Sequence, residues 1–398
     1  MTIRLKMIVR NSVEKSDGEP HPFLGLENLE SRTGRALVDD LPFKAAEDAV
    51  IHRKGDVLFS KLRPYLAKSY LPCMEATGTG ELLVLRPGCK IDSRFLFYSS
   101  LSRAWVDWAS TTAYGTKMPR TSWELMGEYR IWLPAIDEQR RIADFLDAEV
   151  STIDHLIFLR EKQALVFAER MRSMAAERTG RTKLKLVRSD SGSSVVPLRR
   201  GVASVHTGTT PAGLLDPEDR AAGALPWYTP TVIGEMLDVG APERYVPRGY
   251  VGSPVFKPGS ILFTGIGESL GKVAYLSHEA SGNQQLTAIA PLPSVNGEFL
   301  AWQLWAAREE VREWAQYSRI RIINNDSLKS FPIFLPGRAE QGHVARELSE
   351  MGRDGDRLSG LSRQFSSVMA ERRQALITAA VTGQLDVTTA RPTHDRDL

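Results

Sequence analysis

The chain has 398 residues, of which 42% are hydrophobic, 8% aromatic and 25% charged, a balance that excludes a disordered or fibrous protein and supports two or three cored domains. Its net charge of +3 supplies no field strong enough to announce a polyanion partner. Two cysteines, Cys73 and Cys89, and seven scattered histidines exclude a disulfide scaffold and a zinc site, and no run approaches 18 apolar residues, so a cytoplasmic protein with neither a secretory leader nor a membrane span is expected.

In chain order, short apolar runs bounded by Gly and Pro predict strands at 56–60, 81–85 and 129–133. Phe95, Leu96, Leu101 and Trp105 predict an amphipathic helix over 92–108. From there the pattern changes. Leu146, Val150, Ile153, Ile157, Arg160, Ala164, Phe167, Met171 and Met174 alternate in steps of four and three, and all but Arg160 are apolar, which is a coiled-coil seam. This helix is expected to start just after Pro134, with Asp137 and Glu138 in its first turn, and to end near Thr179 and Gly180. Roughly 42 residues at about 1.5 Å each make a rod of about 60 Å. Residues 181–195, rich in Lys, Arg, Ser and Gly, predict a flexible linker.

Strands at 260–263, 286–290 and 331–335 and a helix over 297–314 follow. A second rod, 340–380, carries Leu358, Leu361, Phe365, Val368 and Ala375 at the same spacing. It is expected to be the weaker helix, because Gly342, Gly352, Gly355 and Gly360 each cost about 1 kcal/mol against alanine. Neither rod can hide its stripe alone, so the two are expected to pack on each other.

The order of elements recurs because the chain is written twice. A shift of 204 lays Gly55-Asp-Val-Leu-Phe-Ser60 on Gly259-Ser-Ile-Leu-Phe-Thr264 and pairs Leu66 with Leu270, Lys68 with Lys272, Gly78 with Gly282 and Leu82 with Leu286. After a two-residue slip, a shift of 202 pairs Ile131, Leu133 and Pro134 with Ile333, Leu335 and Pro336, and Glu138-Gln139 with Glu340-Gln341. That register holds through Asp154 with Asp356 to Ala168-Glu-Arg170 with Ala370-Glu-Arg372. The expected architecture is therefore α+β: domains at 1–136 and 196–336, long helices at 137–180 and 337–385 packed as an antiparallel coiled coil about a pseudo-two-fold, the linker 181–195, and a tail at 386–398. The four main segments carry net charges of +3 for 1–136, −2 for 137–180, +2 for 181–336 and 0 for 337–398, so two mildly basic blocks alternate with neutral or acidic rods.

No catalytic constellation and no metal-ligand spacing is present. Gly265-Ile-Gly267-Glu-Ser-Leu-Gly271-Lys272-Val273 has the wrong spacing for a phosphate loop and puts Val where Ser or Thr would bind magnesium, and Gly78-Thr-Gly80 lacks the third glycine of a dinucleotide fingerprint. What remains suits a phosphate backbone and base edges. Lys61, Arg63, Tyr65 and Lys68 follow one strand; Thr264, Gly265, Gly267, Ser269 and Lys272 follow its repeat. Lys68 and Lys272 are the shared cation, suited to a common phosphate contact, and the differing flanks suit different readout. Just before each closing strand lie Tyr114, Thr116, Lys117 and Arg120 in one block, and Arg319, Arg321, Asn324 and Asn325 in the other, with Gln284 and Gln285 nearby. Arg reads guanine and Asn or Gln reads adenine bidentately.

These motifs together resemble the specificity subunit of a type I restriction-modification enzyme. The resemblance is carried by Gly25-Leu-Glu-Asn-Leu-Glu-Ser31, Lys54-Gly-Asp-Val-Leu-Phe59 with its repeat Pro258-Gly-Ser-Ile-Leu-Phe263, Leu133-Pro-Ala-Ile-Asp-Glu-Gln-Arg-Arg-Ile142 and Thr264-Gly-Ile-Gly267, and it spans nearly the whole chain. It implies two target recognition domains, each reading half of a bipartite site on double-stranded DNA, separated by helices that set the spacer and dock a pair of methyltransferase subunits. It implies no catalysis and no cofactor in this chain, with S-adenosylmethionine, ATP and Mg held by methyltransferase and restriction or translocase partners. The competing reading is a coiled-coil adaptor whose duplicated domains bind protein. In one place the chain departs from the pattern: about eleven fewer residues precede Gly25 than precede its repeat, so the first domain is expected to lack a turn or a strand.

Overall fold

The computed structural model describes residues 1–46, 48–181, 195–247, 249–250, 252–317 and 320–387; nearly all of the expected linker and most of the expected tail fall outside them. The chain divides into two compact units, Met1–Leu159 with Phe365–Leu398, and Arg160–Gln364.

In the first unit the strands β1 (Thr2–Arg4), β2 (Val9–Ser12), β3 (His21–Leu24), β4 (Phe43–Lys44), β5 (Val50–His52), β6 (Val57–Ser60), β7 (Ser69–Tyr70), β8 (Ala76–Gly78) and β9 (Leu82–Pro87) come first. Helices α1 (Ser93–Leu101), α2 (Arg103–Thr111) and α3 (Trp123–Met126), strand β10 (Arg130–Trp132) and the long helix α4 (Ile136–Arg178) follow. One sheet runs β2-β9-β6-β7, a second β4-β3-β8-β5, and β1 pairs with β10. The central strands β6 and β9 are buried on both faces, which is why they read as continuous apolar runs. Val57, Phe59, Leu83 and Leu85 pack on Phe95, Leu96, Leu101 and Trp105, while Leu58, Leu82 and Val84 face Leu24 and Leu29. The single helix expected over 92–108 is two. Ser102 breaks it by capping α2, its Oγ accepting from the Trp105 N–H at 3.4 Å and donating to the Ser99 carbonyl at 2.6 Å.

The second unit repeats the plan. Its strands are β11 (Val195–Pro197), β12 (Val202–Thr207), β13 (Leu225–Tyr228), β14 (Arg244–Val246), β15 (Ile261–Thr264), β16 (Val273–Tyr275), β17 (Ser281–Gly282) and β18 (Leu286–Pro291). There follow α5 (Gly297–Ala306), α6 (Arg308–Trp314), the small strands β19 (Gln316–Tyr317) and β20 (Arg321–Ile322), α7 (Asn325–Ser330), β21 (Pro332–Phe334) and the long helix α8 (Arg338–Val381). Sheet order β12-β18-β15-β16 matches β2-β9-β6-β7, β14-β13-β17 matches β4-β3-β8, and β11-β21 matches β1-β10. The shorter first copy has a counterpart for each of β11–β18, so what it lacks near its start is a turn and not a strand. Its deficit falls between β2 and β3, where the second copy adds the 3-10 turn Pro217–Asp219 and a longer β12.

A buried glutamine anchors each long helix in the same way. Gln139 donates to the carbonyls of Lys90 at 3.0 Å and Pro134 at 2.9 Å, and accepts from the N–H of Asp92, the α1 cap, at 2.9 Å. Gln341 donates to the Pro336 carbonyl at 2.8 Å and accepts from the N–H of Asn296, the α5 cap, at 2.8 Å.

The long helices span 43 and 44 residues, about 65 Å each at 1.5 Å per residue. In the first unit the early part of α4 meets the late part of α8: Ile142, Leu146 and Val150 share a core with Ile377, Ala380 and Val381, and Asp154 pairs with Arg373 at 3.2 Å. In the second unit Met171 and Ala175, late in α4, meet Val344, Ala345 and Leu348, early in α8, and Arg178 pairs with Glu347 at 3.0 Å. Within each unit the pairing is antiparallel, as expected. The seam is not the one the heptads predict throughout. Leu146, Val150, Ile153 and Met171 are buried, and Ile157, Ala164, Phe167, Leu358 and Phe365 half-buried, but Leu361 and Val368 are each 55% exposed. An α-helix drifts by about 20° per heptad, so a strict heptad stripe rotates off its partner; Met369, Arg373 and Ile377 are buried instead. Two of the α8 glycines have packing roles. A Cβ on Gly352 would lie 2.6 Å from the Trp302 ring, and one on Gly355 would lie 2.6 Å from Phe167, whereas Gly342 and Gly360 have nothing within 4 Å.

Candidate nucleic-acid interface

In the first unit three loops are stitched together at the end of β6. The Lys61 N–H donates to the Glu81 carbonyl at 2.8 Å, the Thr121 N–H to the Lys61 carbonyl at 2.9 Å, and the Arg63 N–H to the Pro119 carbonyl at 2.7 Å. Ser60 N–H to the Lys68 carbonyl, at 2.9 Å, closes the first loop. The second unit makes the same bonds at the repeat positions. Gly265 N–H reaches the Gln285 carbonyl at 2.9 Å, Ile323 N–H the Gly265 carbonyl at 3.0 Å, Gly267 N–H the Arg321 carbonyl at 3.0 Å and Thr264 N–H the Lys272 carbonyl at 2.9 Å. Leu62 bridges to Arg120 in one copy and Ile266 to Ile322 in the other. The backbone is one design used twice, so the side chains distinguish the copies.

The expected residues of each unit thus come together within that unit. Tyr114 and Arg120 close a hairpin through reciprocal backbone bonds of 3.0 and 2.9 Å, and its tip exposes Thr116 and Lys117. Arg63 and Tyr65 are exposed beside it. Arg120 pairs with Glu81 at 2.5 Å. Burial pulls the pKa of Lys61 down while the Glu81 charge pushes it back up. In the second unit Thr264 and Gly265 are buried and contribute mainly backbone, Gly267, Ser269, Lys272, Gln285 and Arg321 are half-buried, and Gln284 is exposed with its Oε1 accepting from Thr210 at 2.6 Å.

Three expected contacts are engaged elsewhere. Lys68 turns inward and donates to the Leu26 carbonyl at 2.6 Å, which removes it from the phosphate role it was expected to share with Lys272. Asn324 caps α7, accepting from the Ser327 N–H at 2.8 Å, and Asn325 is held by Thr207 at 3.2 Å. Asn before a polar first turn is a helix-start signal, and that reading accounts for Asn324 better than adenine recognition does. Arg319 lies outside the described residues.

Two residues escaped the sequence reading. Glu81 is the repeat partner of Gln285 at the shift of 204, so carrying the register across would have found it. Arg32, whose Nη2 donates to the Tyr65 carbonyl at 3.1 Å, sits in a left-handed turn that no pattern announces. Among the described residues no group of three or more His, Cys, Asp or Glu is placed to hold a metal ion, and no described helix is long and apolar enough to cross a membrane.

Comparison with known proteins meets this arrangement at the second unit. Residues 199–359 match the family model of the type I restriction modification DNA specificity domain. The family match thus lies within the second unit. Over 124 residues, 30% of its length, it is 29% identical to the type I restriction enzyme EcoDI specificity subunit of Escherichia coli, and that match spans 27% of the relative's own length. Among solved structures, a chain from work on complex assembly and conformational transition of the type I R-M system is similar at a TM-score of 0.70 and 18% identity, covering 97% of this chain and 98% of that one. The HsdS subunit from Thermoanaerobacter tengcongensis is similar at a TM-score of 0.46 and 19% identity, covering 97% of each chain. The resemblance to type I specificity subunits drawn from the motifs is borne out, and so is the α+β fold with two long helices.

Proposed function

We propose that this chain is the DNA-reading subunit of a type I restriction-modification complex, with the domains 1–136 and 196–336 each reading one half of a bipartite target. The observation that carries the reading is the pair of loop clusters that share four loop backbone bonds and differ in side chains. Lys61 stands against Gly265, Arg63 against Gly267, Tyr65 against Ser269 and Glu81 against Gln285. A fixed scaffold with exchanged donors and acceptors is what two different half-sites require, since phosphate contacts position a reader and base-edge contacts specify. Lys117 in the first cluster, and Lys272 and Arg321 in the second, supply cations for the backbone, while Arg63 reads a base edge. In this reading the long helices set the gap between half-sites and dock a pair of methyltransferase subunits. The chain is not catalytic; S-adenosylmethionine, ATP and Mg belong to the partner subunits. The test is to exchange residues 196–336 for the matching block of a relative, co-express the chain with its methyltransferase partner, and map genomic methylation by long-read sequencing. One half-site switches and the other stays; a switch of both overturns independent reading.

A further inference from the structure

Three non-glycine residues among those described have a left-handed backbone: Arg32 at φ 67°, Arg63 at φ 48° and Ala67 at φ 47°. All three meet in one place, because the Arg32 N–H donates to the Ala67 carbonyl at 3.2 Å and Arg63 begins the 3-10 turn that Ala67 ends. An L side chain in this conformation crowds its Cβ against the backbone, and the conformation persists only where the surroundings hold it. In the second unit the positions matching Arg63 and Ala67 are Gly267 at φ 79° and Gly271 at φ 80°. The same backbone is made there with residues that adopt it freely. The first loop is strained because it presents an arginine side chain where its twin has none.

What holds the strained turn comes from the long helices. Arg373 of α8 donates through Nη1 to the Arg32 carbonyl at 2.9 Å and through Nη2 to the Thr33 carbonyl at 2.6 Å. It is 5% exposed, and its charge is met by Asp154 of α4 at 3.2 Å. Contacts therefore run from Asp154 and Arg373, through the Arg32–Thr33 turn, to Ala67 and Tyr65 in the loop that carries Arg63. The second unit is built otherwise. At the shift of 202 Asp154 becomes Asp356, but the match of Arg373 is Met171, buried in the core. Its loop is held from α6, where Arg308 donates to the Leu270 carbonyl at 3.4 Å and Arg312 to the Glu268 carbonyl at 2.9 Å.

We propose that Arg373 is a positioning residue for recognition by the first unit, fixing the direction of Arg63 from the long-helix pair, so that the first half-site is coupled to those helices while the second is held by its own domain. This rests on the proposed DNA-reading function. The test uses the full chain co-expressed with its methyltransferase partner, with methylation mapped by long-read sequencing for the wild type, Arg373→Met, Arg373→Lys, Arg63→Gly and the double variant Arg63→Gly with Arg373→Met. Arg373→Met installs the residue of the second copy and leaves Asp154 the neighbouring Arg35 at 3.9 Å. Arg373→Lys keeps the buried charge but replaces the two-pronged guanidinium fork with a shorter point donor, and Arg63→Gly relieves the strained φ and melts no lower than wild type.

All three single variants are expected to relax the same base position of the same half-site by roughly tenfold or more, the worth of a bidentate arginine contact, with the other half-site unchanged. The double variant adds nothing to Arg63→Gly alone. Methylation that falls uniformly in the Arg373 variants with the motif intact would show a merely structural role and overturn the proposal, as would a change in the other half-site or an unchanged motif. A wild-type chain that yields no bipartite motif sinks the DNA-reading function itself, a result separate from any behaviour of the variants.

Discussion

Four glycines in one helix offer a test of packing against propensity. A Gly in a helix interior costs about 1 kcal/mol relative to Ala, so Gly342→Ala and Gly360→Ala, which place their methyl groups in open space, each stabilise the chain by about that amount. Gly352→Ala has the same propensity gain but sets a Cβ 2.6 Å from two carbons of Trp302. That ring is 1% exposed and its indole N–H donates to Ser349 Oγ at 3.0 Å, so it cannot withdraw without losing both packing and a hydrogen bond. Overpacking of about 1–3 kcal/mol, with about 1 kcal/mol for the bond, outweighs the gain, and Gly352→Ala is expected to lose about 1–3 kcal/mol net. Gly355→Ala is expected to lose less, because one of its two clashes, at 2.8 Å, is with the flexible end of Met236. Urea unfolding of the full chain followed by tryptophan fluorescence measures the series, with midpoints moving in opposite directions for positions 352 and 360 at constant m. If Gly352→Ala stabilises as Gly360→Ala does, Trp302 does not pack on this helix and the assigned core is wrong.

Asp356 has its pKa raised to about 7, first by burial and then by Asp238 beside it. Its folded form holds the proton more tightly than the unfolded chain does, so wild-type stability falls as pH rises from about 4 through about 7; Asp356→Asn removes that slope and gains about 1 kcal/mol or more at pH 8 after allowance for solvent screening, with no gain at pH 4, measured by melting across pH. Gln139→Leu leaves two carbonyls and one N–H unpaired at the start of α4 and is expected to cost about 3 kcal/mol or more, read by denaturant midpoint. Removing one heptad from both long helices, about 10 Å of each, is expected to change the spacer of the methylated motif while both half-sites persist; an unchanged spacer in a methylation map refutes the ruler role.

Much of the fold was legible because repetition supplies a second reading of every weak signal. The strands β6 and β9 are too short to identify alone, but their copies β15 and β18 recur at a fixed shift, and the buried pair Gln139 and Gln341 shows that the register follows contacts as well as letters. The helix breaks at Ser102 and Ala307 were not legible, since both interrupt otherwise apolar periods and the capping of α2 by Ser102 depends on tertiary placement. Periodicity misled at Leu361 and Val368, where a heptad written in sequence is not a heptad facing a partner. At the site, composition found the loops but could not separate reading groups from holding groups. Asn324, Asn325 and Lys68 hold the loops and their neighbours in place, a role set by backbone atoms distant in sequence.

The charge of +3 sharpens what kind of reader the proposed function requires. Binding driven by phosphates needs unpaired cations, yet Arg120 is matched by Glu81, Lys61 has the Glu81 charge close by, and Lys68 is committed to a carbonyl. Few phosphates can be neutralised by such a surface, so the salt dependence of the isolated chain should be shallow and its affinity low. Discrimination is less affected by that pairing. Glu81 holds Arg120 and shares its charge with Lys61, a preorganised donor and acceptor set that a wrong base pair leaves unsatisfied. Under the proposed function, a reader built this way contributes selectivity, and most of the binding energy is expected from partner subunits.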